Sequence, residues 1–258
     1  MNCGSVPLAV LKRFEALGRD PRFRHYTRIP RRIEQCIRLF GVQYPCETVL
    51  DKLHHFYLFI GIIDDAIDAD SLGIGQAVMR QLRHRPGWLD PQATESDAGL
   101  ATELLKTRIA PSVYARVVRG LDALHRAVVG EKEAGSLQKY MSLRRRVGQL
   151  TADVSYRLIE PHLRPADRRL RRFMQQVGAV GCLVDSAIDL DNDARQGLLS
   201  FDPAWFDRGR LILQSIRGGL PIVARNPRAV GLFLAAIWDS FRDRSSHGEE
   251  RTFRLTAR

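Results

Sequence analysis

The chain has 258 residues, 45% of them apolar, enough for one substantial core without covalent staples. Its four cysteines, Cys3, Cys36, Cys46 and Cys182, form no CxxC pair and no His/Cys cluster, which argues against a disulfide framework or a zinc site and for a reduced, cytoplasmic setting. Arginine drives the net charge of +11. It is clustered at 28–32, 144–146 and 164–172, which favours an anionic partner, with a plain solvated basic surface as the alternative.

Apolar residues recur with a helical period and alternating β-branched runs are nearly absent, so the sequence predicts an all-α fold. Helices are expected at about 5–17, 29–41, 46–70, 74–84, 97–108, 111–130, 134–160, 166–196, 204–218 and 226–243. Proline and glycine punctuate them at "RHRPGW", "IAPS", "EPHLRP", "GGLP" and "RNP". No repeat or linker divides the series, so residues 1–243 are expected to form one helical domain and the polar stretch 244–258 a frayed tail. The longest apolar runs, near Phe56 to Ile63 and Ala229 to Trp238, are too short to span a bilayer, and no secretory leader pattern opens the chain. The expectation is a soluble protein, at most peripheral at a membrane surface.

The third predicted helix ends on "YLFIGIIDDAIDAD", where Asp64, Asp65 and Asp68 follow a strongly apolar run. Residues four apart share a helix face, so Asp64 and Asp68 project together. Burying such a cluster uncompensated costs several kcal/mol or forces protonation, and a divalent cation such as Mg²⁺ removes that problem. Alternatively, the helix ends near Ile63 and the acids face solvent. The eighth predicted helix carries a second stripe, Asp185, Asp189 and Asp193, at i, i+4 and i+8. Two such stripes facing one another across a bundle can hold several metal ions. "DLDND" at 189–193 opens like a calcium-binding EF-hand loop, but Ala194 stands where the turn needs glycine and Ser200 where a bidentate glutamate belongs, which excludes that reading.

Together, "DDAID" (64–68), "YMSLRRRVG" (140–148) and "GAVGCLVDSAIDLDNDARQG" (178–197) resemble the motifs of the class I isoprenoid synthases, the superfamily of terpene synthases and of squalene and phytoene synthases. The resemblance implies an all-α bundle in which Asp64, Asp65 and Asp68 bind two Mg²⁺ ions and Asp185, Asp189 and Asp193 a third. It implies a prenyl diphosphate substrate, whose diphosphate is held by Arg144 and Arg195 and abstracted to leave an allylic carbocation. It also implies that Gly148, at a helix break, helps trigger ionisation through its carbonyl, and that Phe56 and Tyr140 line the cation's pocket with π faces. The alternatives are that Arg144 belongs to a solvated "RRR" run, that Gly148 merely allows close helix packing and that the aromatics are ordinary core. His54 and His55 receive no role.

The two branches of the superfamily are separated by departures. Cys182, Ile188 and Gly61 stand where squalene- and phytoene-synthase-like enzymes carry a glutamine and two arginines that handle diphosphate. Terpene synthases carry Asn, Ser or Thr, and Glu where Asp185, Asp189 and Asp193 stand, and a C-terminal Arg-Tyr pair with no counterpart in "RTFRLTAR". The leading expectation is a Mg²⁺-dependent terpene synthase acting on a fifteen- or twenty-carbon prenyl diphosphate. A head-to-head condensing prenyltransferase comes second. A non-catalytic basic module binding nucleic acid or acidic lipid comes third, so no nucleic-acid partner is expected. A homodimer is compatible with this reading.

Overall fold

The computed structural model describes residues 7–69, 72–84 and 92–235. Its helices are α1 (Leu8–Arg19), α2 (Arg24–Leu39), α3 (Cys46–Ala69), α4 (Leu72–Arg83), α5 (Asp97–Arg108), α6 (Tyr114–Lys132), α7 (Leu137–Ile159), α8 (Arg168–Arg195) and α9 (Asp207–Arg225). A 3-10 turn at Pro227–Ala229 leads into further helix over 230–235. The expected all-α class is what the chain adopts, with no strand among the described residues. The tail expected at 244–258 and the end of the last expected helix lie outside them. No helix among the described residues is long and apolar enough to cross a membrane.

Several boundaries follow from local chemistry. The Ser96 side chain accepts from the Gly99 amide and caps α5, and Ser136 does the same for α7 through Lys139. The second helix starts five residues earlier than expected. Asp20 caps a 3-10 turn at Pro21–Phe23 that runs straight into α2, leaving Pro30 inside the helix. Proline there has no N–H to offer the carbonyl four residues back, that of Tyr26. Likewise α9 continues through the "GGLP" that was expected to end it, with Pro221 inside.

The most extensive packing is α7 on α8, an antiparallel pair joined by a short connection. On this pair α6 covers α7 and α9 covers α8, while α3 packs against α2 and α5 and also reaches α7. Gly148 and Gly178 make the α7–α8 approach possible. A Cβ on Gly148 would lie 2.1 Å from the Gly178 carbonyl oxygen, and one on Gly178 would lie 2.4 Å from that of Gly148. The main core includes Leu53, Phe56, Leu104, Leu158 and Leu170, all fully buried. Each contributes about 1.5–3 kcal/mol by leaving water. A smaller cluster of Leu137, Tyr140, Leu183, Ala187, Leu190 and Leu211 joins α7, α8 and α9 beneath the second acidic stripe.

Candidate functional site

The two acidic stripes meet at one end of the bundle, and α2 links them. Consecutive residues of α2 reach one stripe each. The Tyr26 hydroxyl donates to Asp64 Oδ2 at 2.7 Å, and His25 Nε2 lies 3.9 Å from Asp185 Oδ2. Their rings stand edge to face at 5.5 Å. Gly61 is what admits Tyr26. A Cβ there would meet the Tyr26 ring at 2.5 Å, so the phenol lies flat on the α3 backbone one turn before the acid it binds.

The remaining acids of the first stripe have basic partners. Asp65, exposed, accepts from Arg22 Nη1 at 3.0 Å, and Asp68 is ion-paired with Lys132 at the end of α6. Asp64 and Asp68 share the face expected of residues four apart, while Asp65 is turned to the neighbouring edge, towards the 3-10 turn that precedes α2.

Arg144 ties the motifs together from α7. Its Nε donates to Ser186 Oγ at 2.8 Å, next to Asp185, and its Nη1 donates to Glu131 of α6 at 3.1 Å. The Tyr140 hydroxyl also donates to Ser186 Oγ, at 3.3 Å, and Ser186 in turn donates to the Cys182 carbonyl. Ser186 Oγ thus accepts from Arg144 and Tyr140 and donates to a carbonyl, which fixes the direction of the Arg144 side chain. Burial opposes the charge on Arg144, but Glu131 and, further down, Asp64 more than offset it and hold the guanidinium charged.

The electrostatics show how close the stripes come. Burial, then the charge of Asp189, pushes the Asp193 carboxyl up to about 7, with Asp68 of the other stripe adding to the effect and Arg144 opposing it. Asp64 is raised by burial and by Asp68, against the Tyr26 hydrogen bond, Arg144 and Lys132. Glu131 is raised by burial and by Asp64, against Arg144. Burial likewise pushes the Cys182 thiol up to about 12, which keeps it protonated and unreactive at neutral pH.

These carboxyls are raised first by burial and further by neighbouring acids, and a bound divalent cation would favour their ionised forms. The donor set is all oxygen, which suits Mg²⁺. No three His, Cys, Asp or Glu side chains among the described residues are already gathered about one point as a ligand set. Asp65 is turned to Arg22 and Asp68 to Lys132, so a cation would have to draw these carboxylates from their basic partners, whereas Asp64 accepts from Tyr26 through Oδ2 alone.

The other expected residues take different places. Helix α7 runs unbroken through Gly148, which corrects the expected helix break. The glycine is there because the α8 backbone touches it. Arg195 is exposed, with its Nε on the Asp191 carbonyl of its own helix. Phe56 is enclosed in the main core, edge-on to Tyr57 at 5.1 Å and two helical turns before Asp64. Tyr140 is buried beside the site, its ring tilted against Phe201. His55 belongs to the core, stacked on Phe14 at 4.8 Å.

Tyr26, His25, Glu131, Lys132 and Ser186 are the residues that sequence reasoning did not find. The only trace of Glu131 was the "EKE" run at 131–133, which reads as a solvated face. Compared with known proteins, the chain matches no family model, no curated sequence and no solved structure.

Proposed function

We propose that the protein is a Mg²⁺-dependent class I terpene synthase, which ionises a linear prenyl diphosphate and cyclises or deprotonates the resulting cation. The observation that carries this reading is the convergence of both acidic stripes on Arg144 and on the adjacent pair His25 and Tyr26. Asp64 and Asp68 on α3 and Asp185, Asp189 and Asp193 on α8 would hold the metal. When bound, Mg²⁺ supplies charge stabilisation for the departing diphosphate.

The chain's own groups do the rest. Arg144, kept charged and directed by Glu131 and Ser186, offers its guanidinium to a diphosphate oxygen. Lys132, freed from Asp68 when that carboxylate turns to the metal, offers a second cation. Tyr26 orients Asp64 through its hydrogen bond and, by covering Gly61, replaces the arginine that a condensing enzyme would use for a second diphosphate. This supports a site for one diphosphate-bearing substrate.

The test is incubation of purified protein with ten-, fifteen- and twenty-carbon prenyl diphosphates and Mg²⁺, measuring pyrophosphate and hydrocarbon release. The expected outcome is Mg²⁺-dependent release of both with at least one substrate, lost in Asp64→Asn and Asp189→Asn. A folded protein inactive on all three overturns the reading. A product of twice the substrate's carbon number assigns the chain to the condensing branch instead.

A further inference from the structure

A second charged site lies on the same helix pair, and its make-up is the reverse of the first. Arg146 stands two residues beyond Arg144, about 200° further round α7, and lines a cleft of about 410 Å³ together with Asp153 and Arg157 of α7 and Arg171, Arg172 and Gln175 of α8. Four guanidiniums thus line it against one carboxylate.

That carboxylate is an internal support. Asp153, 5% exposed, accepts from Arg171 Nε at 2.6 Å and from Gln175 Nε2 at 2.8 Å, and is ion-paired with Arg157 Nη2 at 2.7 Å. A buried acid therefore fixes two arginines, one from each helix, in a set direction. Arg157 is further held by the Arg116 carbonyl. The terminal nitrogens of Arg171 make no hydrogen bond, and Arg146 and Arg172, both exposed, make no hydrogen bond or ion pair among the described residues.

We propose that this cleft is an anion-binding site for a ligand carrying two or more phosphoryl groups, independent of divalent metal. The terminal donors of Arg171, which Asp153 holds in place, and those of the exposed Arg146 and Arg172 suit phosphate oxygens, which accept bidentate hydrogen bonds. The excess of positive charge matches a polyanion better than a single carboxylate. None of the lining residues is aromatic, so the cleft has no platform on which a nucleobase would stack. The phosphoryl groups can belong to a free small molecule or to a lipid headgroup.

The inference does not depend on the proposed reaction, and its test removes the metal on which that reaction depends. Sodium tripolyphosphate is titrated calorimetrically into the protein in EDTA at about 0.15 M salt, where nonspecific attraction is screened. Saturable binding is expected, weakened at least about tenfold in Arg146→Gln/Arg172→Gln, since charge-assisted hydrogen bonds contribute about 1.5–3 kcal/mol each. Arg225→Gln/Arg228→Gln removes the same charge from another exposed surface and should stay within about twofold of wild type.

A second arm measures co-sedimentation with phosphatidylcholine vesicles containing phosphatidylinositol 4-phosphate. Vesicle binding lost only in the Arg146/Arg172 variant assigns the ligand to a headgroup. Tripolyphosphate binding without vesicle binding assigns it to a free ligand. Absence of both, or equal weakening by the two double variants, overturns the proposal.

Discussion

The α7–α8 pair carries two charged regions that solve opposite problems. At one end, Asp64, Glu131 and Asp193 interact with Arg144, and burial together with the charges of Asp189 and Asp68 raises Asp193 to about 7. Around Asp153, arginines from both helices converge on one buried acid and satisfy it fully. The difference teaches where ligand chemistry is to be sought. An excess of acids calls for a cation before it can meet a phosphate, whereas an excess of arginines meets the phosphate directly. Between the two regions lies the contact of Gly148 with Gly178, which sets the spacing for both.

The largest effect is expected from breaking that contact. Gly148→Ala places a Cβ on the Gly178 carbonyl, and backbone cannot yield as a flexible side chain does. The variant should lose about 3 kcal/mol or more in urea denaturation. Gly181→Ala, where a Cβ meets nothing within 4 Å, should instead be neutral or gain up to about 1 kcal/mol from helix propensity. Equal stabilities would show that the helices do not depend on this approach.

The next pair of substitutions should have opposite signs. Asp153→Ala leaves Arg171, Arg157 and Gln175 without their acceptor and should cost about 2–3 kcal/mol, less than a fully buried pair because both arginines are partly solvated. Asp193→Asn removes a carboxylate that its neighbours repel. Because the folded state raises this group from 3.8 to about 7, the fold binds the proton more tightly than the unfolded chain does. Stability in EDTA should therefore fall as pH rises through that window. Asp193→Asn should flatten this slope and gain about 1 kcal/mol at pH 8, after discounting for solvent screening. Denaturation midpoints at pH 4, 6 and 8 check both, and destabilisation by both variants at pH 8 would erase the contrast.

Much of the fold was legible because its signals are local. The span 97–108 was read correctly from its helical period, and the acidic stripes from i, i+4 spacing alone. The start of the second helix was placed too late, because Asp20 and a 3-10 turn open it earlier and Pro30 is carried inside it. Gly148 was open between two readings. Glycine in a helix signals either a break or a close approach, and only the partner Gly178, on another helix, decides between them. The companions of the acids were illegible because they are non-local. Tyr26 lies 38 residues from Asp64, and nothing in either segment announces the other.

The smallest effect comes from that same pair, and it tests whether the acid-rich end is tuned by residues the motifs do not contain. Tyr26→Phe keeps the ring over Gly61 but removes the donor to Asp64, so the acid loses the hydrogen bond that counteracts its burial. Stability should fall by only about 1 kcal/mol, the net value of one such bond. Under the proposed reaction, the Mg²⁺ concentration giving half-maximal rate should rise by no more than about tenfold, because Asp64 is less readily ionised and less firmly aimed. Gly61→Ala acts on the same contact from the other side, since its Cβ displaces the ring and the hydroxyl with it. If Tyr26 positions Asp64, the double variant should be little worse for Mg²⁺ than Gly61→Ala alone. Additive effects would mean that ring and hydroxyl serve the site separately.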